Sequence, residues 1–164
     1  MKHRLYLAVG TAVLAAAATS LVVAPVGAAT TKQAPVPVAR GLDNPRQLDL
    51  TNGGVLIIAE SGTGGDDCAV VDGEEVCVGT TAGVSAVFNP STARGVAARP
   101  IVTGLLSESG PDGTGATGND GASARSLLGV YVAKDVDIPD GITGLPEEQE
   151  GKLLIVKLNV DENP

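Results

Sequence analysis

Ten residues constrain this chain more than any others: Cys68-Ala69-Val70-Val71-Asp72-Gly73-Glu74-Glu75-Val76-Cys77. Asp-Gly is a favoured type I′ turn pair, because both residues tolerate positive φ. With that pair as a two-residue loop, 71 faces 74, 70 faces 75 and 69 faces 76. Cys68 then faces Cys77 at a non-hydrogen-bonded position, where Cα atoms stand roughly 4.5 Å apart. A disulfide can span that separation, at the short end of its range. The alternatives are two free thiols or a two-cysteine metal site. The chain has only these two cysteines and one histidine, His3 in the leader, so the mature chain cannot complete a zinc ligand set. The spacing predicts a hairpin closed by Cys68–Cys77.

The rest of the chain is of one kind with that hairpin. Short β-branched runs alternate with Gly, Asn and Asp clusters, and no stretch after the leader sustains a helical period. This pattern predicts an all-β fold. The best strand candidates are Val55–Ala59, Val84–Phe88, Arg99–Val102, Val130–Ala133 and Lys152–Val156. Leu48-Asp49-Leu50 forms a first hairpin with Val55 onward across Asn52-Gly53. The strands also repeat in order: Val38–Leu42 is echoed by Ile101–Leu105, Gly54–Ala59 by Gly129–Ala133, and Ala82–Val87 by Glu150–Ile155, at offsets of 63, 75 and 68 residues. Ordered repeats of several short strands point to propeller blades. The expectation is a partial β-propeller of about two four-stranded blades over residues 38–164, with blade 1 near 46–102 and an incomplete blade 2 near 104–160. A ring needs about four blades or more, so the chain reads as a fragment or as one partner in a ring-completing assembly. A small two-sheet sandwich of the same strands is the alternative fold.

The leader sets the compartment. Met1-Lys2-His3-Arg4 is basic, Leu5–Val23 is uncharged and apolar, and Val26-Gly27-Ala28 supplies small residues. That order predicts a helical signal peptide over 1–28, a linker over 29–37 and a secreted product without a stable membrane anchor. A signal anchor is the alternative, since the run is nearly long enough to span a bilayer. Without Lys2 and Arg4, nine cationic side chains oppose nineteen carboxylates. A surface that acidic repels phosphate backbones, so nucleic acid is excluded as a partner.

Catalytic chemistry has little to work with. The mature chain has no His, Trp or Met, and its only aromatics are Phe88 and Tyr131. A His-based triad is impossible. Gly113-x-Gly115-x-x-Gly118 has dinucleotide-fingerprint spacing, but loop residues precede it and Asn119-Asp120-Gly121 stands where a helix must start. Asp112-Gly113-Thr114-Gly115 has no second matching loop to act as a protease dyad. Asp135-Val136-Asp137-Ile138-Pro139-Asp140-Gly141 puts Pro139 at the fifth calcium-loop position, so it reads as an acidic turn. No catalytic, cofactor-binding or metal-ligating residue is therefore assigned, and the expected cofactor set is empty.

Several stretches together resemble the ScyD/ScyE family of exported bacterial proteins. They are Val38–Leu48, Ile58-Ala59-Glu60-Ser61-Gly62, the Cys68–Cys77 loop, Gly83–Val87 and Gly113–Gly118, spread over residues 36–160. The resemblance implies a β-propeller without an assigned reaction, acting as a binding or scaffold module toward an extracellular partner or itself. Family members are longer, and continue past Ala-Thr-Gly with Pro and a Ser-Asp pair where this chain has Asn119-Asp120-Gly121. The opener and Glu60 also resemble the first blade of soluble quinoprotein sugar dehydrogenases. The alternative function is thus an N-terminal fragment of such an enzyme, or of a lactonase-like propeller, with its active residues on other blades.

Overall fold

The computed structural model describes residues 34–158, which form strands and one 3-10 turn with no α-helix. The strands are β1 (Ala39–Arg40), β2 (Pro45–Leu50), β3 (Leu56–Glu60), β4 (Asp67–Val71), β5 (Glu74–Val87), β6 (Val96–Ala97), β7 (Arg99–Ser109), β8 (Asn119–Ser126), β9 (Gly129–Lys134) and β10 (Leu153–Lys157). The fold is all-β, as the turn-punctuated pattern predicts. The expected signal peptide, residues 1–28, and linker residues 29–33 lie outside the described residues. Among the described residues, no helix is long and apolar enough to cross a membrane.

Two antiparallel sheets make up the body. The first runs β2-β3-β5-β4, with β7 also paired to β5; the second runs β10-β9-β8. The β2–β3 connection is Thr51-Asn52-Gly53-Gly54-Val55, longer than the two-residue Asn52-Gly53 turn expected, and the strand expected from Val55 starts at Leu56. The Thr51 N–H donates to the Val55 carbonyl at 2.9 Å and its Oγ1 accepts from the Val55 N–H at 3.0 Å. Gly54 takes φ +74°, a left-handed conformation that favours glycine.

The cysteine hairpin has the expected register to the residue: Cys68↔Cys77, Ala69↔Val76, Val70↔Glu75 and Val71↔Glu74. Asp72 and Gly73 both have positive φ, 51° and 91°, as a type I′ turn requires. The disulfide is formed, with Cα atoms 4.0 Å apart. Such a bond belongs to an oxidising compartment. Opening it by reduction, or as Cys68→Ser/Cys77→Ser, should lower the unfolding free energy by about 2–3 kcal/mol through loop entropy. Urea unfolding with and without reductant checks this. An unmoved midpoint would show that the hairpin frays independently of the body.

The structure revises several boundaries. The hairpin's second arm and the strand expected at Val84–Phe88 are one continuous strand, β5. Residues 104–109, expected to open the second unit, instead continue β7 and pair with β5 through Ala82↔Leu105 and Gly79↔Ser107. The second sheet begins at Asn119.

Two of the three sequence echoes fall on strands with corresponding neighbours; the third is an exception. β3 lies between β2 and β5, and β9 lies between β8 and β10, all antiparallel. Ile57 pairs with Ala86, and Val132 with Leu154; Leu56 pairs with Val87, and Tyr131 with Ile155. Those pairs differ by 75 residues on the middle strand and 68 on its neighbour, the offsets read from the sequence. The exception is Val38–Leu42, whose β1 makes only a two-residue parallel pairing with β6, whereas its echo lies in β7. Among the described residues the sheets close into neither a barrel nor a ring.

The sheets pack face to face. Ile57, Ala59, Val84 and Val102 join Ala122, Ala124, Val130 and Val132 in the main core. The opposite face of the first sheet presents Ile58 and Val87, which pack with Ala93, Val38, Ala39 and Leu42. Alternate residues of one strand thus serve two cores.

Candidate functional site

The most distinctive surface lies at the stapled end. The outer halves of β5 and β7 pair as Cys77↔Ser109 and Val78↔Glu108, carrying the β4–β5 hairpin past the main core. The Gly62–Gly65 segment lies flat across this ribbon. The Gly64 N–H donates to Ser107 Oγ at 2.9 Å, Thr81 Oγ1 donates to the Gly64 carbonyl at 2.7 Å, and Ser109 Oγ donates to the Thr63 carbonyl at 2.8 Å. A Cβ on Gly79 would stand 2.7 Å from the Gly65 Cα, so this close approach requires glycine on both sides.

A cleft of about 360 Å³ opens beside the hairpin, lined by Val71, Asp72, Glu74, Val76, Glu108, Asp137, Ile138 and Pro139. Burial pushes the Glu108 carboxyl above its ordinary value, and repulsion from Asp137 and then Asp135 adds to the rise. Burial likewise raises Asp120, with a hydrogen bond to Asp135 acting in the same direction. The Asp135–Gly141 turn is anchored by the chain itself: the Ile138 N–H donates to Glu150 Oε1 at 2.5 Å. Among the described residues, no three His, Cys, Asp or Glu side chains converge on a metal position.

The glycine-rich loop closes on itself. Asp112 Oδ1 accepts from the Thr114 N–H at 3.0 Å and from Thr114 Oγ1 at 2.6 Å, which holds its carboxyl below the ordinary range. Gly113 and Gly115 have φ of 77° and 63°. Past Gly118 the chain enters the strand β8 directly. The fingerprint spacing is therefore a turn between two strands, without the helix N-terminus that a pyrophosphate needs.

Sequence reasoning missed a buried polar network at the sheet junction. The Asn119 carboxamide donates to the Gly83 carbonyl at 2.7 Å, and its Oδ1 accepts from the Lys134 ammonium at 2.9 Å. Lys134 also donates to the Leu106 carbonyl. Ser107 Oγ donates to the Ser61 carbonyl at 2.5 Å, Ser61 Oγ to the Asn119 carbonyl at 3.3 Å, and the Arg46 guanidinium to Ser61 Oγ at 3.1 Å. A signal was available: Val130, Val132 and Lys134 share one face of a strand, so the lysine continues the line of two valines into the core. It is 6% exposed.

Burial lowers the Lys134 pKa from its ordinary value to about 8, with Asp120 opposing the fall. The folded state therefore binds this proton less tightly than the unfolded chain. Between about pH 8 and pH 10.5 the unfolded chain keeps a proton that the folded chain has released, so this group makes stability rise with pH across that window. Urea midpoints should show that rise in the native chain and a flatter profile in Lys134→Met.

These observations define an all-β protein of two packed antiparallel sheets with a disulfide-stapled hairpin. Comparison with protein-family models, curated proteins and solved structures finds no significant match to the chain.

Proposed function

We propose that this protein is an exported binding or scaffold module, a partial β-propeller of the kind the ScyD/ScyE resemblance implies, whose stapled hairpin is its contact element. The hairpin itself carries the reading. It projects past the core, is held by Cys68–Cys77, and presents Val70 at 73% exposure beside the half-exposed Val71. A pre-organised hairpin loses little conformational freedom on binding. Asp72, Glu74, Glu108 and Asp137 around the adjacent cleft disfavour an anionic partner. The matched strand order and pairing offsets of β2-β3-β5 and β8-β9-β10 support the repeated unit.

The test compares the native exported chain with Val70→Ser/Val71→Ser for retention of proteins and glycans from the surrounding medium. Specific retention that disappears in the variant, at unchanged thermal stability, supports the module. Equal retention removes the hairpin from the proposal. Turnover of a sugar or lactone by the chain would favour the enzyme-fragment reading instead.

One observation favours a self-contained two-sheet sandwich. At the repeat offsets Ile57 corresponds to Val132, and both face the shared core. Successive propeller blades meet by opposite faces, which here requires sliding the comparison one residue, so that Ala59 meets Ala133 and Glu60 meets Lys134. A one-residue slip turns every side chain to the other face. A cooperative β-rich monomer in analytical ultracentrifugation would decide for the sandwich.

A further inference from the structure

In the first sheet, β5 has a fourth strand on its far side: β7 pairs with it through Val84↔Val102 and Ser85↔Pro100. The second sheet stops at β10, whose outer edge carries no strand among the described residues. The Lys152 carbonyl accepts from the Lys134 N–H at 2.8 Å on the inner side. Backbone groups alternate along an antiparallel strand, so those of Leu153, Ile155 and Lys157 point to the free edge. Leu153 is 74% and Ile155 54% exposed. An open apolar edge of this kind is a template for strand addition.

The chain contains a second sequence of the outer-strand type. Pro37-Val38-Ala39-Arg40-Gly41-Leu42 repeats the pattern of Pro100-Ile101-Val102-Thr103-Gly104-Leu105 in β7. The backbone agrees, with φ of 72° at Gly41 and 77° at Gly104. Yet this segment makes only the pairs Ala39↔Val96 and Arg40↔Ala97, parallel to the two-residue β6. Among the described residues, an outer-strand sequence without a full sheet stands beside a sheet without an outer strand.

We propose that the free edge of β10 accepts Pro37–Leu42 of a second copy of this chain as its fourth strand, taking the place of β6 on the donor, where the Val38 and Arg40 carbonyls now accept from Val96 and Ala98. The proposal rests on the repeated-unit reading. The repeat offsets set the register: Ala39 meets Lys152 as Val102 meets Val84, and Pro37 meets Leu153 as Pro100 meets Ser85. The donor is another copy because Val38, Ala39 and Leu42 pack on the Ile58–Val87 face of the first sheet, while the second sheet packs on the Ile57–Ala59 face. The first sheet separates donor from acceptor within one chain. A head-to-tail contact of this type uses two different surfaces and propagates into a ring or an open chain.

Analytical ultracentrifugation of the full exported chain is expected to show concentration-dependent assembly. Chains carrying Ala39→Cys, mixed with chains carrying Lys152→Cys and oxidised, should yield a covalent pair containing one of each. Ile155→Pro removes only an outward N–H and should give a monomer with an unchanged far-ultraviolet circular dichroism spectrum. Should that variant misfold, Ile155→Lys places a charge on the same edge and is read identically. A native chain that stays monomeric, a 39–152 link formed within one doubly substituted chain, or assembly that survives both Ile155 variants would overturn the proposal. Partner retention through Val70 and Val71 is measured separately on Ile155→Lys, so loss of self-assembly and loss of the binding role are distinguishable.

Discussion

Ile57→Ala is expected to lower the unfolding free energy by about 2–5 kcal/mol. Ile57 is fully buried on β3, the strand held between β2 and β5, and it faces the shared core of the two sheets. Truncation removes apolar contacts and leaves a cavity in a layer bounded on both sides by paired strands. Backbone pairing on each side limits how far the walls can close. Urea unfolding should show a lower midpoint at an unchanged slope. Leu48→Ala is the control: Leu48 is 63% exposed on β2, and surface substitutions of this kind stay within about 0.5 kcal/mol. Equal effects at the two positions would mean that the sheets do not pack through the Ile57 face.

Asn119→Leu is expected to cost about 2–4 kcal/mol, although it preserves side-chain size. Asn119 is fully buried and joins three elements: it donates to Gly83 on β5, accepts from Lys134 on β9, and itself opens β8. Leucine leaves the Gly83 carbonyl without its donor and the Lys134 amine without one of its two acceptors. Buried polar groups stripped of a partner carry the full desolvation penalty. The double variant Asn119→Leu/Lys134→Met should therefore be less destabilised than the two single effects added together, because the second change removes the amine that the first strands. Additive effects would mean that Asn119 and Lys134 are not energetically coupled.

Local chemistry made the cysteine hairpin legible. Asp72-Gly73 selects a turn that sets the pairing of Cys68 with Cys77 without help from the rest of the chain. Between β2 and β3 the turn was not legible in the same way: the positive φ falls on Gly54, and residues 51–55 separate Leu50 from its partner Leu56. The middle strands were legible because their β-branched runs pack well on a pleated surface. β8 was not legible. Asn119-Asp120-Gly121-Ala122-Ser123-Ala124-Arg125-Ser126 has no β-branched or aromatic residue. It forms a strand because small residues fit where the sheets meet: Ala122 and Ala124 fill the core beside Val130 and Val132. The same limit hid the Lys134 network, whose acceptors come from β7 and β8.

The amino-acid order alone determined the all-β character and the Cys68–Cys77 register, because turn type and β-branched runs act within a few residues. The tertiary structure decided which residues of β5 and β7 extend into one long ribbon, where the second sheet begins, and which faces meet. Those choices depend on apolar area and hydrogen-bonding groups contributed by residues far apart in the chain, and a pattern with a period of two is equally content with either face until a partner sheet covers one of them.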